Sequence, residues 1–509
     1  MVTSKLHAIL LASPGMGHLI PIMELGKRLI TNHGFEITVF VVPTTTATTT
    51  TTTDSSDSDS DSDTIKSNIL QPTSNLNSLN IIVTPHVDIS HKLDPNDPCL
   101  LGLRIILTMI ESLPFIRSQI ISMKIPPSVL IVDLFSAVAL SMARDLHMSS
   151  YVFFATSAWF SALSIYLPFF TMEEFLNHAN NQEPLLIPGC EPLRFEDTLP
   201  SFRSPCGPIH KVWVDGAKEL VLADGILMNT WQDLEPTNTK AFTENGLLGR
   251  LTKGPVYAIG PLVRTGEPEE RREGGNFILH WLDRHPNESV IFLSFGSGGT
   301  MSKCQMRELA YGLELSKQRF IWVVRPPMED DASAAFFDAV KGVDESTMAN
   351  YFPEGFLSRT KEVGLCVPMW APQDEILKHP ATGGFVTHCG WNSVLESILS
   401  GVPMVAWPLY VEQKMNATML SEELGVAVKV KKTMTKEGEI VCREQIGDLI
   451  RRVMVDEEGV DIRVKVKGYK LSGENAFSMF GSSHESLCQL AKDCELHLHQ
   501  NFETKALGV

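Results

Sequence analysis

Two stretches of the chain alternate short apolar strands with helical segments, and this alternation limits the fold more than any other feature. The first stretch opens with the apolar run 7–13, continues with a helical pattern that stops at a glycine, and returns to the apolar run FEITVFVV. The second begins with the apolar run 289–295, followed by a glycine-rich turn and another helical pattern. Strands that alternate with helices form parallel sheets. We therefore predict an α/β fold of two doubly wound, Rossmann-like domains that face each other across a cleft.

The length of 509 residues also requires more than one core. We predict an N-terminal domain over 1–253, a linker over 254–276 that contains the charged run RTGEPEERREGG, and a C-terminal domain over 277–480. A C-terminal helix or tail follows over 481–509. Residues 44–63 form a Thr-, Ser- and Asp-rich insert that cannot bury apolar area, so we expect a disordered loop there.

Composition excludes several classes of function. A net charge of −17 makes nucleic acid a poor partner, because affinity for phosphates comes from Lys and Arg. Nine scattered cysteines without a CxxC pair indicate reduced thiols, so we expect a cytoplasmic protein. We recognise no signal peptide or transmembrane segment, and we expect a monomer. The Asp-Ser repeat 57–63 resembles a DxD metal motif, but a floppy loop does not fix carboxylates around a metal.

The segment GGFVTHCGWNSVLESILSG has the pattern of a phosphate site. Its strand ends at Thr387, and Asn392 and Ser393 fall in the first turn of the next helix, where backbone N–H groups are unpaired and the helix dipole is positive. His388 adds a donor from the turn. Glu396, one helical turn beyond Asn392, can accept from two ribose hydroxyls. Taken alone, Asn392 or Ser393 would more often cap the helix.

Aromatic and polar residues flank this segment. Trp370 follows a strand directly, and an indole at a strand end can stack on a base, although core packing is the commoner role of a single tryptophan. Trp391 lies in the turn itself. Glu412 and Gln413 follow the strand PMVAWP and offer a carboxylate and an amide to a polyol, although such a pair more often lies in a solvated loop.

In the first half, His18 and Asp133 are the candidate catalytic pair. His18 lies after the first strand and Asp133 ends the strand PSVLIVD, so both open onto the same edge of a parallel sheet. A neutral imidazole can take a proton from an acceptor hydroxyl, and a carboxylate behind it stabilises the imidazolium. A structural turn residue and a helix cap are the alternative roles.

The stretch Trp370–Gln413 resembles the signature box of plant secondary-product UDP-glycosyltransferases. The match includes W-A-P-Q, G-G-F-x-T-H-C-G-W-N-S, L-E-S, W-P and E-Q, although the closing pair is more commonly Asp-Gln in the family. SPGMGHLIP, VDLF and SFGSGGT resemble the subgroup that acts on hydroquinone, monolignols and related phenols. The resemblance implies the GT-B fold, with an N-terminal acceptor half and a C-terminal UDP-sugar half.

The resemblance also implies a role for individual residues. His18 would be the base and Asp133 its partner, and His18, Leu134 and Phe135 would contact the acceptor. No metal and no cofactor other than the co-substrate UDP-glucose would be needed. Trp370, Ala371 and Gln373 would hold uracil or ribose, and Glu396 the ribose. Ser297, His388, Asn392 and Ser393 would bind the pyrophosphate, and Trp391, Glu412 and Gln413 the sugar.

These expectations converge on inverting transfer of glucose from UDP-glucose to a hydroxyl of a small phenolic aglycone, giving a β-O-glucoside. One rival is an NAD-dependent oxidoreductase, but Ile20 replaces the third glycine of GxGxxG and no acidic residue closes FEITVFVV. A second rival is a non-catalytic UDP-sugar-binding protein, which would not need His18 and Asp133. The sequence leaves open the aglycone, N- or S-acceptors and the strictness of the glucose preference.

Overall fold

The computed structural model describes residues 5–43, 77–92, 100–199, 202–203, 208–243, 246–264, 273–328, 345–435 and 438–507. The chain divides into two compact units. The first contains Met1–Phe195, Pro200–Glu269 and Ala476–Val509, and the second contains Glu196–Leu199 and Glu270–Asn475. The predicted disordered insert 44–63 and residues 265–272 of the predicted linker lie outside the described residues.

The first unit is built on a parallel sheet of seven strands. Their bounds are β1 His7–Ala12, β2 Glu36–Val41, β3 Leu79–Val83, β4 Val129–Asp133, β5 Ser149–Phe154, β6 Gly225–Met228 and β7 Val256–Ala258. The order across the sheet is β3-β2-β1-β4-β5-β6-β7. Helices on this part of the chain are α1 Met16–His33, α2 Leu100–Ser122, α3 Leu140–Asp145, α4 Ala158–Tyr166, α5 Met172–Asn181, α6 Pro208–Leu220 and α7 Pro236–Ala241.

The second unit repeats the same topology. Its parallel strands are β8 Val290–Ser294, β9 Arg319–Val324, β10 Gly364–Pro368, β11 Thr382–Thr387, β12 Met404–Ala406 and β13 Ala427–Lys429, with a hairpin of β14 Thr433–Thr435 and β15 Gly438–Ile440. Its helices are α8 Glu273–Leu282, α9 Lys303–Ser316, α10 Glu345–Met348, α11 Phe356–Thr360, α12 Gln373–Lys378, α13 Trp391–Ser400, α14 Gln413–Thr418, α15 Arg443–Met454 and α16 Glu457–Ala476. The six-stranded order is β10-β9-β8-β11-β12-β13.

Both sheets have the strand order of a doubly wound fold, so the predicted pair of Rossmann-like units is confirmed. In each, the order reverses beside the first strand, between β1 and β4 in the first unit and between β8 and β11 in the second. Ligands of open α/β sheets bind beyond the carboxyl ends of the strands at such reversals. The topology therefore marks one candidate position in each unit.

The last helix, α17 Ser482–Leu507, completes the core of the first unit. Leu487 and Leu490 are buried in the same apolar cluster as the residues of β1 and β2. The Tyr257 hydroxyl of β7 donates to the Asp493 carboxylate, and the Arg28 guanidinium lies 3.6 Å from the ring centre of Phe477. The C-terminal residues are thus integral to the first sheet.

Local structure departs from the sequence-based expectations in three places. Helix α1 begins at Met16, so His18 lies in the first helical turn and not in a preceding loop. The helix expected over SAVALSMARDLH is divided into the 3-10 helix Leu134–Ala139 and the short α3, because the Asp133 side chain caps a tight turn. Strand β7 lies inside the segment predicted as linker and pairs with β6.

Helix α2 qualifies by length and composition as a possible membrane span over Leu101–Ser122. Only 33% of its apolar window is buried within the structure. Core helices of soluble proteins can have the same length and composition, so these two properties do not by themselves make α2 a membrane span. The expected lack of a transmembrane segment stays a prediction.

Candidate active site

His18 and Asp133 meet at the strand reversal of the first unit. The distance between His18 Nδ1 and Asp133 Oδ2 is 3.0 Å, and the carboxylate is 1% exposed while the imidazole is 20% exposed. The ring N–H is not aligned as in a regular hydrogen bond, so the pair forms a close polar contact. Because Nδ1 faces Asp133, the opposite ring nitrogen Nε2 is the one left for another molecule.

The two carboxylate oxygens of Asp133 have different partners. Oδ1 accepts from the backbone N–H of Ser136 at 2.9 Å and so caps the 3-10 helix, while Oδ2 accepts from the backbone N–H of Ser13 at 3.0 Å and from the Ser13 hydroxyl. Burial alone would raise the pKa of Asp133, but contacts with His18, Ser13 and Ser136 outweigh it, and the pKa is lowered. The residue is therefore both a helix cap and an ionised partner for the imidazole.

Aromatic rings surround the imidazole. The centre of the Phe135 ring lies 5.4 Å from that of His18, in an edge-to-face arrangement, and Trp213 of α6 packs edge-to-face on Phe135 at 5.5 Å. Trp213 also contacts Phe160 of α4 at 6.4 Å. Phe135 and Trp213 are half-buried, whereas Phe160 is 2% exposed and belongs to the core. An apolar ring wall with one polar corner is suited to a planar aromatic ligand that carries a hydroxyl.

In the second unit, helix α13 starts directly beyond β11. Its N-cap is Gly390, which has no side-chain cap. Asn392 and Ser393 therefore lie in the first turn without capping it, and the first-turn N–H groups face a position where an anion fits. Ser297 lies in the exposed turn after β8, the neighbouring strand.

His388 is enclosed between two glycines of this turn region. Ideal Cβ atoms at Gly296 and Gly390 would lie 2.6 and 2.4 Å from His388 Nε2, so larger residues cannot replace these glycines without displacing the ring. Burial, and secondarily the charge of Arg325, lowers the pKa of His388 to about 4. The imidazole is neutral at physiological pH, and its Nδ1 has no hydrogen-bond partner among the described residues.

The side chain of Gln373, the first residue of α12, forms hydrogen bonds to helix α13. Its Nε2 donates to Ser393 Oγ at 2.9 Å and to Glu396 Oε2 at 2.6 Å. Three residues to which the resemblance gives neighbouring roles are thus brought into one hydrogen-bonded group. The hydrogen bond from Gln373 holds the Glu396 carboxylate in place, one helical turn beyond the start of α13.

The two ends of the predicted binding stretch are also oriented by the fold. Trp370 lies just beyond β10 and is 49% exposed, so about half of its surface is accessible, and Ala371 beside it is buried. Gln413 is 4% exposed, and its Oε1 accepts from the backbone N–H groups of Leu409 and Tyr410. Its amide is therefore held so that only Nε2 donors remain for a ligand.

Three residues beside the predicted donor-binding residues have an unusual backbone conformation. Met369, Cys389 and Val411 have φ values of 64°, 67° and 53°, in the left-handed region that residues with side chains seldom adopt. They lie next to Trp370, His388 and Glu412 respectively. Such strain persists where the surrounding structure fixes it, and it is concentrated at functional sites.

Trp213 and Arg325 are site residues that the sequence analysis missed. Trp213 comes from a distant helix, and nothing in its local pattern links it to the first strand. Arg325 directly follows β9 and lines a small cavity of about 20 Å³ with Gly296, Thr300 and Trp322. The sequence feature that could have indicated Arg325 is a charged residue at the carboxyl end of a buried strand. Within the described parts of the chain, no cluster of three or more metal-ligating side chains occurs.

Comparison with known proteins gives the family. The model of "UDP-glucoronosyl and UDP-glucosyl transferase" matches residues 280–447. UDP-glycosyltransferase 72E1 of Arabidopsis thaliana is 43% identical over 510 residues, covering 100% of both chains. Hydroquinone glucosyltransferase of Rauvolfia serpentina is 39% identical over 487 residues, covering 95% of this chain and 97% of its own.

A solved structure agrees with these relatives. Phytolacca americana UGT2, complexed with UDP-2fluoro-glucose and pterostilbene, is similar with a TM-score of 0.77 and 34% identity, covering 97% of this chain and 100% of that one. The GT-B fold class and the resemblance to the phenol-glucosyltransferase subgroup are confirmed. The chain belongs to the plant UDP-glycosyltransferases, enzymes of secondary metabolism that use a UDP-sugar as co-substrate.

Proposed function

We propose that the protein transfers glucose from UDP-glucose to a hydroxyl group of a small phenolic aglycone and inverts the anomeric centre. The observation that carries the proposal is the contact between His18 Nδ1 and the buried, ionised carboxylate of Asp133. That contact leaves His18 Nε2 as a base beside the Phe135 ring.

The chemistry follows from this arrangement. His18 Nε2 takes the proton of the acceptor hydroxyl while its oxygen bonds to the anomeric carbon, and the bond from that carbon to the phosphate oxygen breaks. The bonding electrons leave with UDP, and Asp133 stabilises the imidazolium that forms. Attack and departure on opposite faces of the sugar give a β-glucoside from an α-linked donor.

The second unit supplies the donor contacts in this proposal. The α13 start, with Asn392 and Ser393, stabilises part of the charge on the leaving diphosphate, and in this proposal its departure needs no metal ion. Trp370 stacks on uracil, Glu396 accepts from the ribose, and Gln413 donates Nε2 to sugar hydroxyls. The remaining donor contacts in the proposal come from Ser297, Ala371, Gln373, His388, Trp391 and Glu412.

An acceptor of aromatic character is favoured by the ring wall of Phe135 and Trp213. The hydroquinone glucosyltransferase and the pterostilbene-bound relative belong to the same family, which supports a phenol as the substrate class. Leu134, also half-buried beside Asp133, completes the proposed acceptor contacts.

The test combines a substrate panel with one variant. Phenols, monolignols and flavonoids are incubated with UDP-glucose, UDP-galactose or UDP-xylose, and products are identified by mass spectrometry. We expect β-O-glucosides with UDP-glucose as the preferred donor. His18→Ala is expected to keep UDP-glucose affinity and lose transfer by about 100-fold or more. Transfer at the wild-type rate in this variant would refute the assignment of the base.

A further inference from the structure

Two buried serines flank the Asp133 carboxylate, and they differ in what their hydroxyls do. Ser13 is 2% exposed, and both its backbone N–H and its hydroxyl donate to Oδ2. Ser136 is 0% exposed and donates only its backbone N–H, to Oδ1. The Ser136 hydroxyl has no hydrogen-bond partner in the described part of the chain.

We propose that Ser13 is a positioning residue that fixes the carboxylate oxygen facing His18 and sets how strongly this oxygen stabilises the imidazolium. The proposal rests on the proposed function, because it concerns the base of that reaction. Ser13 lies directly beyond β1, so the sheet places its donors at the end of the neighbouring strand β4.

The geometry explains why Ser13 has this influence. A carboxylate rotates about its Cβ–Cγ bond unless both oxygens are held. Here the backbone N–H of Ser136 holds Oδ1, and the backbone N–H and the hydroxyl of Ser13 both hold Oδ2. The oxygen held by Ser13 is also the one that lies 3.0 Å from His18 Nδ1. A donated O–H withdraws part of the negative charge from that oxygen. Less charge then faces the imidazole, so the imidazolium is stabilised less strongly while the Ser13 hydroxyl is present.

One titratable group, His18, is among the contacts that shift the pKa of the Asp133 carboxylate. His18 is the titratable group that contacts Asp133, and its other contacts come from the neutral Ser13 and Ser136. Phe135 packs on the other side of the imidazole and carries no charge. A change in pH dependence on removing the Ser13 hydroxyl therefore reports on the His18–Asp133 pair.

The experiment compares Ser13→Ala with the matched variant Ser483→Ala, which removes an equally buried hydroxyl of the first unit that donates to the Gly260 carbonyl instead. kcat/KM for a phenol that ionises near pH 10 is measured from pH 5 to 9 at saturating UDP-glucose. For Ser13→Ala we expect the acidic limb of the profile to move to higher pH. We also expect a loss of about 10-fold at pH 6, smaller at pH 8, since a hydrogen bond to a charged group is removed. The acidic limb of Ser483→Ala is expected to coincide with that of the wild type.

An unmoved acidic limb in Ser13→Ala, or the same shift in both variants, would overturn the proposal. If Ser13→Ala does not fold, Ser13→Cys provides a weaker donor of similar size and should give an intermediate shift. Binding of UDP-glucose, measured by calorimetry, should be unchanged in each variant. Failure of the proposed function itself would appear differently, as a wild-type protein that binds UDP-glucose but glucosylates no phenol.

Discussion

Gly296 and His388 are packed so closely that an ideal Cβ at Gly296 would lie 2.6 Å from His388 Nε2. Gly296 also has a φ of 76°, which disfavours any side chain there. The glycine after β8 thus determines where the imidazole after β11 can be, although the two residues are far apart in sequence.

Gly296→Ala is expected to weaken UDP binding by about 10-fold, because the ring must move away from the α13 start. Calorimetric titration with UDP, without acceptor, measures this. Gly468→Ala is the control, since a Cβ there meets no atom within 4 Å. Equal affinity in the two variants would show that the position of His388 does not matter for UDP.

Gln373→Glu is expected to lower affinity for UDP by about 10-fold or more. The new carboxylate would lie where Gln373 Nε2 now donates to Glu396 at 2.6 Å, and two adjacent anions repel. Asp374→Asn on the same helix is the matched control, because its carboxylate pairs with Lys378 instead. A dissociation constant for Gln373→Glu close to that of the control would contradict a role for this hydrogen-bonded group.

His388 makes stability depend on pH in a defined window. Its pKa is about 4 in the folded chain against an ordinary value of 6.5, so the unfolded chain binds the additional proton between these values. Above pH 6.5 this imidazole does not reduce the free energy of unfolding. As the pH falls from 6.5 towards 4, the free energy of unfolding decreases by about 3 kcal/mol in all. Thermal unfolding of wild type and His388→Gln at pH 5 and pH 7 measures it.

The glutamine side chain of His388→Gln does not titrate, so that variant should lose less stability on acidification than the wild type. Arg325→Met should raise the pKa of His388, because it removes the nearby positive charge, and an NMR titration of the imidazole detects the change. An unchanged titration in Arg325→Met would leave burial as the whole cause.

Leu490 and Leu496 of α17 allow a paired test of the C-terminal helix. Leu490 is 0% exposed within the core of the first unit, and Leu496 is 58% exposed. Leu490→Ala is expected to destabilise the first unit by about 2–5 kcal/mol, whereas Leu496→Ala should change stability by about 0.5 kcal/mol or less. Urea unfolding monitors both. A similar loss in the two variants would mean that α17 is not part of that core.

The strand pattern was sufficient to predict both sheets and to place His18 and Asp133 on one edge, because parallel strands put their carboxyl ends together. Helix periodicity did not reveal that α1 begins at Met16, since the N-cap Gly15 and the following glycine hide the start. The sequence is compatible with Asp133 as either a helix cap or a catalytic partner. The structure gives it both sets of contacts, through different oxygens.

What the sequence could not predict depends on side-chain direction and backbone strain. The approach of Trp213 to Phe135 requires the packing of α6, and the bonds from Gln373 to Ser393 and Glu396 require the relative position of two helices. The left-handed backbone at Val411 conflicts with the preference of a β-branched residue, so propensity gives no hint of it. The predicted ligand roles of the binding residues stay predictions.

The return of the C-terminal helix to the first unit has a consequence for biosynthesis. A ribosome releases the strands of the first sheet early, but the apolar residues that cover part of that sheet, including Leu487 and Leu490, emerge only after the whole second unit. The second unit, whose sheet is encoded between residues 290 and 429, has all its strands available sooner. The half of the molecule whose strands are translated first thus completes its core only after the second unit has been translated, and its sheet lacks part of its apolar cover until then.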